Sequence, residues 1–128
     1  MTEKIKTAQH LYEALAGNIG TQCYYILPHA ARLKYTDGVK EMASLVGAYW
    51  LIELIGIHLD GIYAQYPHLR GFAIVRVKSY GNAGVVDILS DSGDENKEIS
   101  YPLEYTDFPE GEFEMYLING VLLLKSEY

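Results

Sequence analysis

FAIVRVKSYGNAGVVDILS, residues 72–90, decides the fold. Its first eight residues alternate between apolar and polar positions and are rich in β-branched side chains, the signature of a half-buried strand. YGNAG then makes a turn, and VVDILS makes a second strand. The loop formers of DSGDENK (91–97) follow, and EISYPL (98–103) predicts a third strand. Pro102 has no N–H to give a ladder, so this strand lies at an edge or ends there. DFPEGE (107–112) turns the chain again. FEMYLINGVLLL (113–124) then sets Asn119-Gly120 between two apolar runs, which predicts a type I′ hairpin.

Upstream of Gly71 the apolar spacing is three-and-four, not two. Residues 3–16 place Ile5, Ala8, Leu11, Tyr12 and Leu15 on one stripe, with Thr2 to cap the helix and Gly17 to stop it. GNIGTQCYYILPHAARLKY (17–35) is punctuated by Gly, Asn and Pro, and QCYYIL within it reads as a short extended piece. A second helix starts at Thr36 or Asp37, either of which can accept hydrogen bonds from the first-turn N–H groups, and runs on to Asp60-Gly61 or Pro67. On one continuous wheel Val39, Met42, Ala43, Val46, Tyr49, Trp50 and Ile57 share a face. The expectation is a single α+β domain, residues 1–128. Two N-terminal helices pack on one face of a C-terminal antiparallel sheet of four or five strands, with the Trp50 side of the long helix against it.

The chain of 128 residues is 49% hydrophobic and 21% charged, the balance of a globular protein. Its one cysteine, Cys23, forms no internal disulfide, which fits a reducing compartment. MTEKIKTAQHLYEAL reads as an amphipathic helix, not a signal peptide, and GAYWLIELIGI is too short to span a membrane. The expected location is the cytoplasm. Charge is unevenly placed: residues 91–128 hold ten acids against two lysines, a formal −8, and the first ninety hold seven against eight, +1. An acidic third argues against direct nucleic-acid binding there; it reads as a solubilising face or as a surface for a basic protein partner.

No catalytic set is visible. The four histidines have no i,i+3 or i,i+4 pair, so no metal site is expected, and no phosphate-binding glycine motif implies a nucleotide cofactor. A Cys23–His29 nucleophile lacks an orienting third group. Glu53, in the most apolar part of the second helix, has two readings. It anchors an internal network, with Arg76 as a candidate partner, or it forms the base of an aromatic pocket. Tyr24, Tyr25, Tyr35 and Tyr49 are candidates to line one recess near the start of that helix. The candidate binding residues are Tyr35, Asp37, Tyr49, Trp50 and Glu53. Tyr-Thr-Asp occurs twice, at 35–37 and 105–107. Helix capping explains the first and turn formation by Asp107 the second, so the triplets need no common function.

YTDGV (35–39), AYWL (48–51) followed by Glu53, YTDFP (105–109), and GVLLL (120–124) with SEY (126–128) resemble an uncharacterised, domain-of-unknown-function family of prokaryotic proteins of plasmids, phages and other mobile elements. The similarity runs from Gly20 onward. It implies a setting and no catalytic residues. Small proteins of that setting often act by binding, so the leading expectation is a non-enzymatic interaction protein, an acidic inhibitor of a host nucleic-acid-targeting defence complex. The alternative is a small-ligand protein whose aromatic pocket holds a nucleotide-like or cationic molecule. An enzyme of unknown class comes third. Exposed tyrosines and the EISYPL edge also invite pairing of two copies.

Overall fold

The computed structural model describes residues 5–20, 23–28 and 32–128. Thr2, expected to cap the first helix, and His29 lie outside the described residues. Among the described residues, three α-helices and one mixed seven-stranded sheet make up the α+β fold. The order along the chain is α1 (Ala8–Ala14), β1 (Tyr24–Tyr25), β2 (Lys34–Thr36), α2 (Asp37–Val46), α3 (Tyr49–Gln65), β3 (Ala73–Tyr80), β4 (Ala83–Leu89), β5 (Lys97–Leu103), β6 (Gly111–Ile118) and β7 (Val121–Leu124). Across the sheet the order is β1-β2-β7-β6-β3-β4-β5.

The expected antiparallel core is present as β3 to β7. Two strands that lie before the long helices extend it to seven. β2 pairs parallel with β7, Lys34 opposite Val121 and Tyr35 opposite Leu122, and β1 pairs antiparallel with β2. The four-or-five-strand antiparallel sheet is therefore corrected to a mixed one. Asn119 (φ 49°) and Gly120 (φ 75°) form the expected hairpin turn. The structure fastens it from three sides: Gly120 N–H donates to the Tyr63 hydroxyl (3.0 Å), Lys34 N–H to Gly120 O (2.8 Å), and Asn119 N–H to Arg70 O (2.7 Å).

Among the described residues three α-helices stand where two were expected. Gly47 takes a left-handed conformation (φ 67°) and Ala48 N–H bonds back to Ala43 O (2.9 Å), so α2 ends where one long helix was expected. Glycine enters this region without the Cβ clash that other residues meet. The break resets the helical phase. Leu51, Ile52, Ile55, Leu59, Ile62 and Tyr63 form the buried side of α3, and Ile57, expected inward, is 66% exposed. Trp50 is half-buried and packs on the border of the core. The first helix begins at Ala8, capped by Thr7, whose hydroxyl accepts from His10 N–H (3.1 Å).

A single cluster holds the buried sides of all three helices and the inward residues of the sheet, among them Val75, Val77, Phe113, Met115 and Leu122. Because side chains alternate across a strand, Arg76 projects from the opposite face to Val75 and Val77. It does not meet Glu53. Its guanidinium lies 2.9 Å from Asp87 on the neighbouring strand, and Ser100 donates to the same carboxylate at 2.6 Å. This pair is buried: Arg76 is 4% exposed and Asp87 1%.

Candidate partner-binding surface

The two Tyr-Thr-Asp triplets have unlike jobs. In the first, Tyr35 is buried on β2, and Thr36 caps α2 by accepting from Val39 N–H (3.3 Å). The Thr36 hydroxyl donates to Glu127 Oε1 (2.6 Å), and Glu127 also accepts from Gly38 N–H (3.1 Å) and Leu124 N–H (2.9 Å). A carboxylate one residue from the end of the sequence thus sits on the positive end of α2. Asp37 accepts from Cys23 N–H (3.0 Å). Its carboxylate also accepts a hydrogen bond from the Tyr25 hydroxyl, which pushes that phenol up to about 12. Lys40 Nζ lies 4.3 Å from the centre of the Tyr25 ring. These contacts join β1, α2 and the C-terminus, and they build the fold.

The second triplet faces out. Thr106 is buried; its N–H donates to Asn82 O (2.7 Å) and its hydroxyl accepts from Phe108 N–H (3.1 Å). Ser79 donates to Phe108 O (3.0 Å). The loop at 104–110 is thereby fixed against the β3–β4 turn. The turn-forming side chain is Thr106, where Asp107 was expected. Tyr105 is left 71% exposed. With Leu103, Thr106, Asp107 and the half-buried Trp50 it lines a recess of about 210 Å³. A second recess of about 270 Å³ shares Tyr105 and Asp107 and includes Lys6, Asn82 and Glu110.

The acidic third is less uniform than its composition. Glu98 pairs with His68, Glu112 with Lys78, Glu114 with Lys125, and Glu127 is consumed by α2. Glu104, Asp107 and Glu110 are exposed and make no side-chain hydrogen bond or ion pair among the described residues. All three stand on the loop that carries Tyr105. Aromatic area and uncommitted negative charge therefore coincide at one end of the sheet.

The five residues singled out from sequence are dispersed. Tyr35 and Tyr49 approach each other: burial raises the Tyr35 phenol first, and the Tyr49 hydroxyl adds to the shift. Tyr49 also hydrogen-bonds Ser44 (3.1 Å). Asp37 belongs to the Tyr25 cluster, while Trp50 stands at the second triplet, in a recess that includes none of the other four. Glu53 is half-buried and its side chain has no hydrogen bond or ion pair among the described residues. Tyr25 and Tyr35 have ring centres 5.7 Å apart, but Tyr24 joins Ile118, Val121 and Tyr128 around another recess. Tyr105 and Leu103, which join Trp50 at its recess, are not among the residues expected there; the repeated triplet is the signal that marks them.

Among the described residues no three His, Cys, Asp or Glu side chains converge as metal ligands, and no helix is long and apolar enough to cross a membrane. No curated protein and no solved structure matches the chain. A family model does match, over residues 9–128, which takes in α1 as well as the segments whose resemblance was noted above. The chain belongs to that family, a family of unknown function designated DUF6876.

Proposed function

We propose that this protein is a non-enzymatic interaction module that meets a basic protein surface through Trp50, Tyr105 and the carboxylates of the 104–110 loop. The observation that carries the reading is the Tyr105 ring, 71% exposed on a loop whose backbone is fixed and whose three carboxylates are uncommitted. Tyrosine and tryptophan offer large rigid contact area at low conformational cost, and they accept arginine and lysine over their faces. Carboxylates around them steer a cationic partner and repel phosphates. In keeping with the resemblance to plasmid and phage proteins, the partner in this reading belongs to a host nucleic-acid-targeting defence complex. The surface covers the basic site that nucleic acid would occupy.

The test is capture of the partner by cross-linking in a host lysate, followed by affinity measurement with the purified pair. Affinity is expected to fall at least about tenfold between roughly 50 and 300 mM salt. The triple variant Glu104→Gln/Asp107→Asn/Glu110→Gln is expected to lose a similar factor while remaining folded. Salt-indifferent binding, or full binding by the triple variant, would contradict the proposal.

A further inference from the structure

The start of β6 lacks a strand neighbour on one side, because β7 pairs with it only from Met115 to Ile118. α1 covers that free edge. Ala8 N–H donates to Glu110 O (2.8 Å), and the Tyr12 hydroxyl accepts from Glu114 N–H (2.6 Å). The Tyr12 ring stacks on Phe113 with centres 4.5 Å apart. The cover is incomplete. A cleft of about 300 Å³ remains between α1 and the chain that leaves β7, walled by Tyr12, Leu15, Phe113 and Leu124. That volume is at the lower end of small-molecule sites, roughly 300–1,000 Å³.

The polar groups of the cleft define what fits it. Glu114 and Lys125 both line it and form an ion pair with each other. An anionic ligand that reaches Lys125 is brought against the Glu114 carboxylate, and a cationic one that reaches Glu114 is brought against the Lys125 ammonium. A neutral molecule meets neither repulsion. The paired ammonium keeps donors to spare and the carboxylate keeps acceptor positions. The Tyr12 hydroxyl accepts from Glu114 N–H, and its own proton has no acceptor among the described residues. We infer that the cleft is a binding site for a small, neutral, flat aromatic molecule with a hydrogen-bond donor and acceptor side by side, as on the amide edge of a nucleobase or an aromatic carboxamide. The apolar walls take the ring, Lys125 or Tyr12 donates to its carbonyl, and Glu114 accepts from its N–H. This site is separate from the Trp50 surface and does not depend on the function proposed for it.

Four probes test the inference by two-dimensional amide NMR on the full chain: uracil, nicotinamide, benzoate and benzylamine. Uracil, nicotinamide or both are expected to bind with Kd below about 1 mM, with shifts confined to residues around Tyr12, Phe113 and Lys125. Benzoate and benzylamine are expected to bind at least about tenfold more weakly. Which neutral probe binds distinguishes the nucleobase from the carboxamide. Ala16 is exposed and lines the cleft, so Ala16→Leu fills it without touching the core; its thermal midpoint should be unchanged and binding lost. Lys125→Met keeps an apolar stem and should weaken binding about tenfold. No binding by either neutral probe, equal binding by the charged ones, or undiminished binding by Ala16→Leu would overturn the assignment.

Discussion

Replacing Glu127 with alanine is expected to lower the unfolding free energy by about 3–5 kcal/mol, although the residue is next to last in the sequence. Its carboxylate accepts from the Thr36 hydroxyl and from two backbone N–H groups, those of Gly38 and Leu124, at 2.6–3.1 Å. Hydrogen bonds to a charged acceptor contribute about 1.5–3 kcal/mol each, and neighbours that share one acceptor do not add fully. Truncation leaves the Thr36 cap hydroxyl, the Gly38 N–H in the first turn of α2 and the Leu124 N–H at the end of β7 without the acceptor they share. Gly38 is the companion position. A Cβ there would lie 2.5 Å from Glu127 Oε1 and 2.6 Å from the nearest Leu124 methyl, so Gly38→Ala must push the carboxylate off the helix. Urea unfolding followed by circular dichroism measures both. The double variant should lose clearly less than the sum of the two single losses, since each disrupts the same lock. A Glu127→Ala loss below about 0.5 kcal/mol would remove the lock from the account.

Asp87→Ala is the second large effect, with an expected loss of about 3–5 kcal/mol. The wild-type pair is dry, at 4% and 1% exposure, and the guanidinium is 2.9 Å from the carboxylate. Removing the carboxylate takes a 2.9 Å partner from a buried guanidinium that also lies 3.9 Å from Glu112, and it deprives Ser100 of its acceptor. Replacing the pair together, Arg76→Met/Asp87→Leu, should recover most of the loss, because it removes the buried guanidinium along with the carboxylate that balances it. Urea unfolding of the single and double variants tests this. A double variant no more stable than Asp87→Ala would contradict that explanation.

The parts of the fold that the sequence made legible are local. Alternation in 72–90 marked β3 and β4, and Asn119-Gly120 marked the β6–β7 hairpin. β2 escaped because three residues carry no periodicity, and its partner Val121 lies far along the chain from Lys34. The end of α2 at Gly47 was written in one residue. Apolar letters on both sides of it disguised the change of phase that turned Ile57 outward. Arg76 could have been placed correctly: period two sets it opposite Val75 and Val77, and so away from every helix in the core. The role of Glu127 had no local signal, because a carboxylate three residues past a strand end looks like any solvated tail. The same distance effect hid the candidate surface. Trp50 and Tyr105 are brought together by α3 and β5, and the repeat of Tyr-Thr-Asp marked the loop without revealing what it would face.

In the proposed function the two triplets divide the labour, the first building the molecule and the second presenting a surface to the partner. Thermal melting and affinity for the captured basic partner, measured on Thr36→Val and Tyr105→Ala, test it together. Thr36→Val should lower the melting midpoint by about 6–10 °C through loss of a cap and a bond to Glu127, and leave affinity below the transition within about twofold. Tyr105→Ala should move the midpoint by less than about 2 °C and weaken binding about tenfold or more. A destabilised Tyr105→Ala protein that binds normally, or a Thr36→Val protein that melts like wild type, would contradict the assignment.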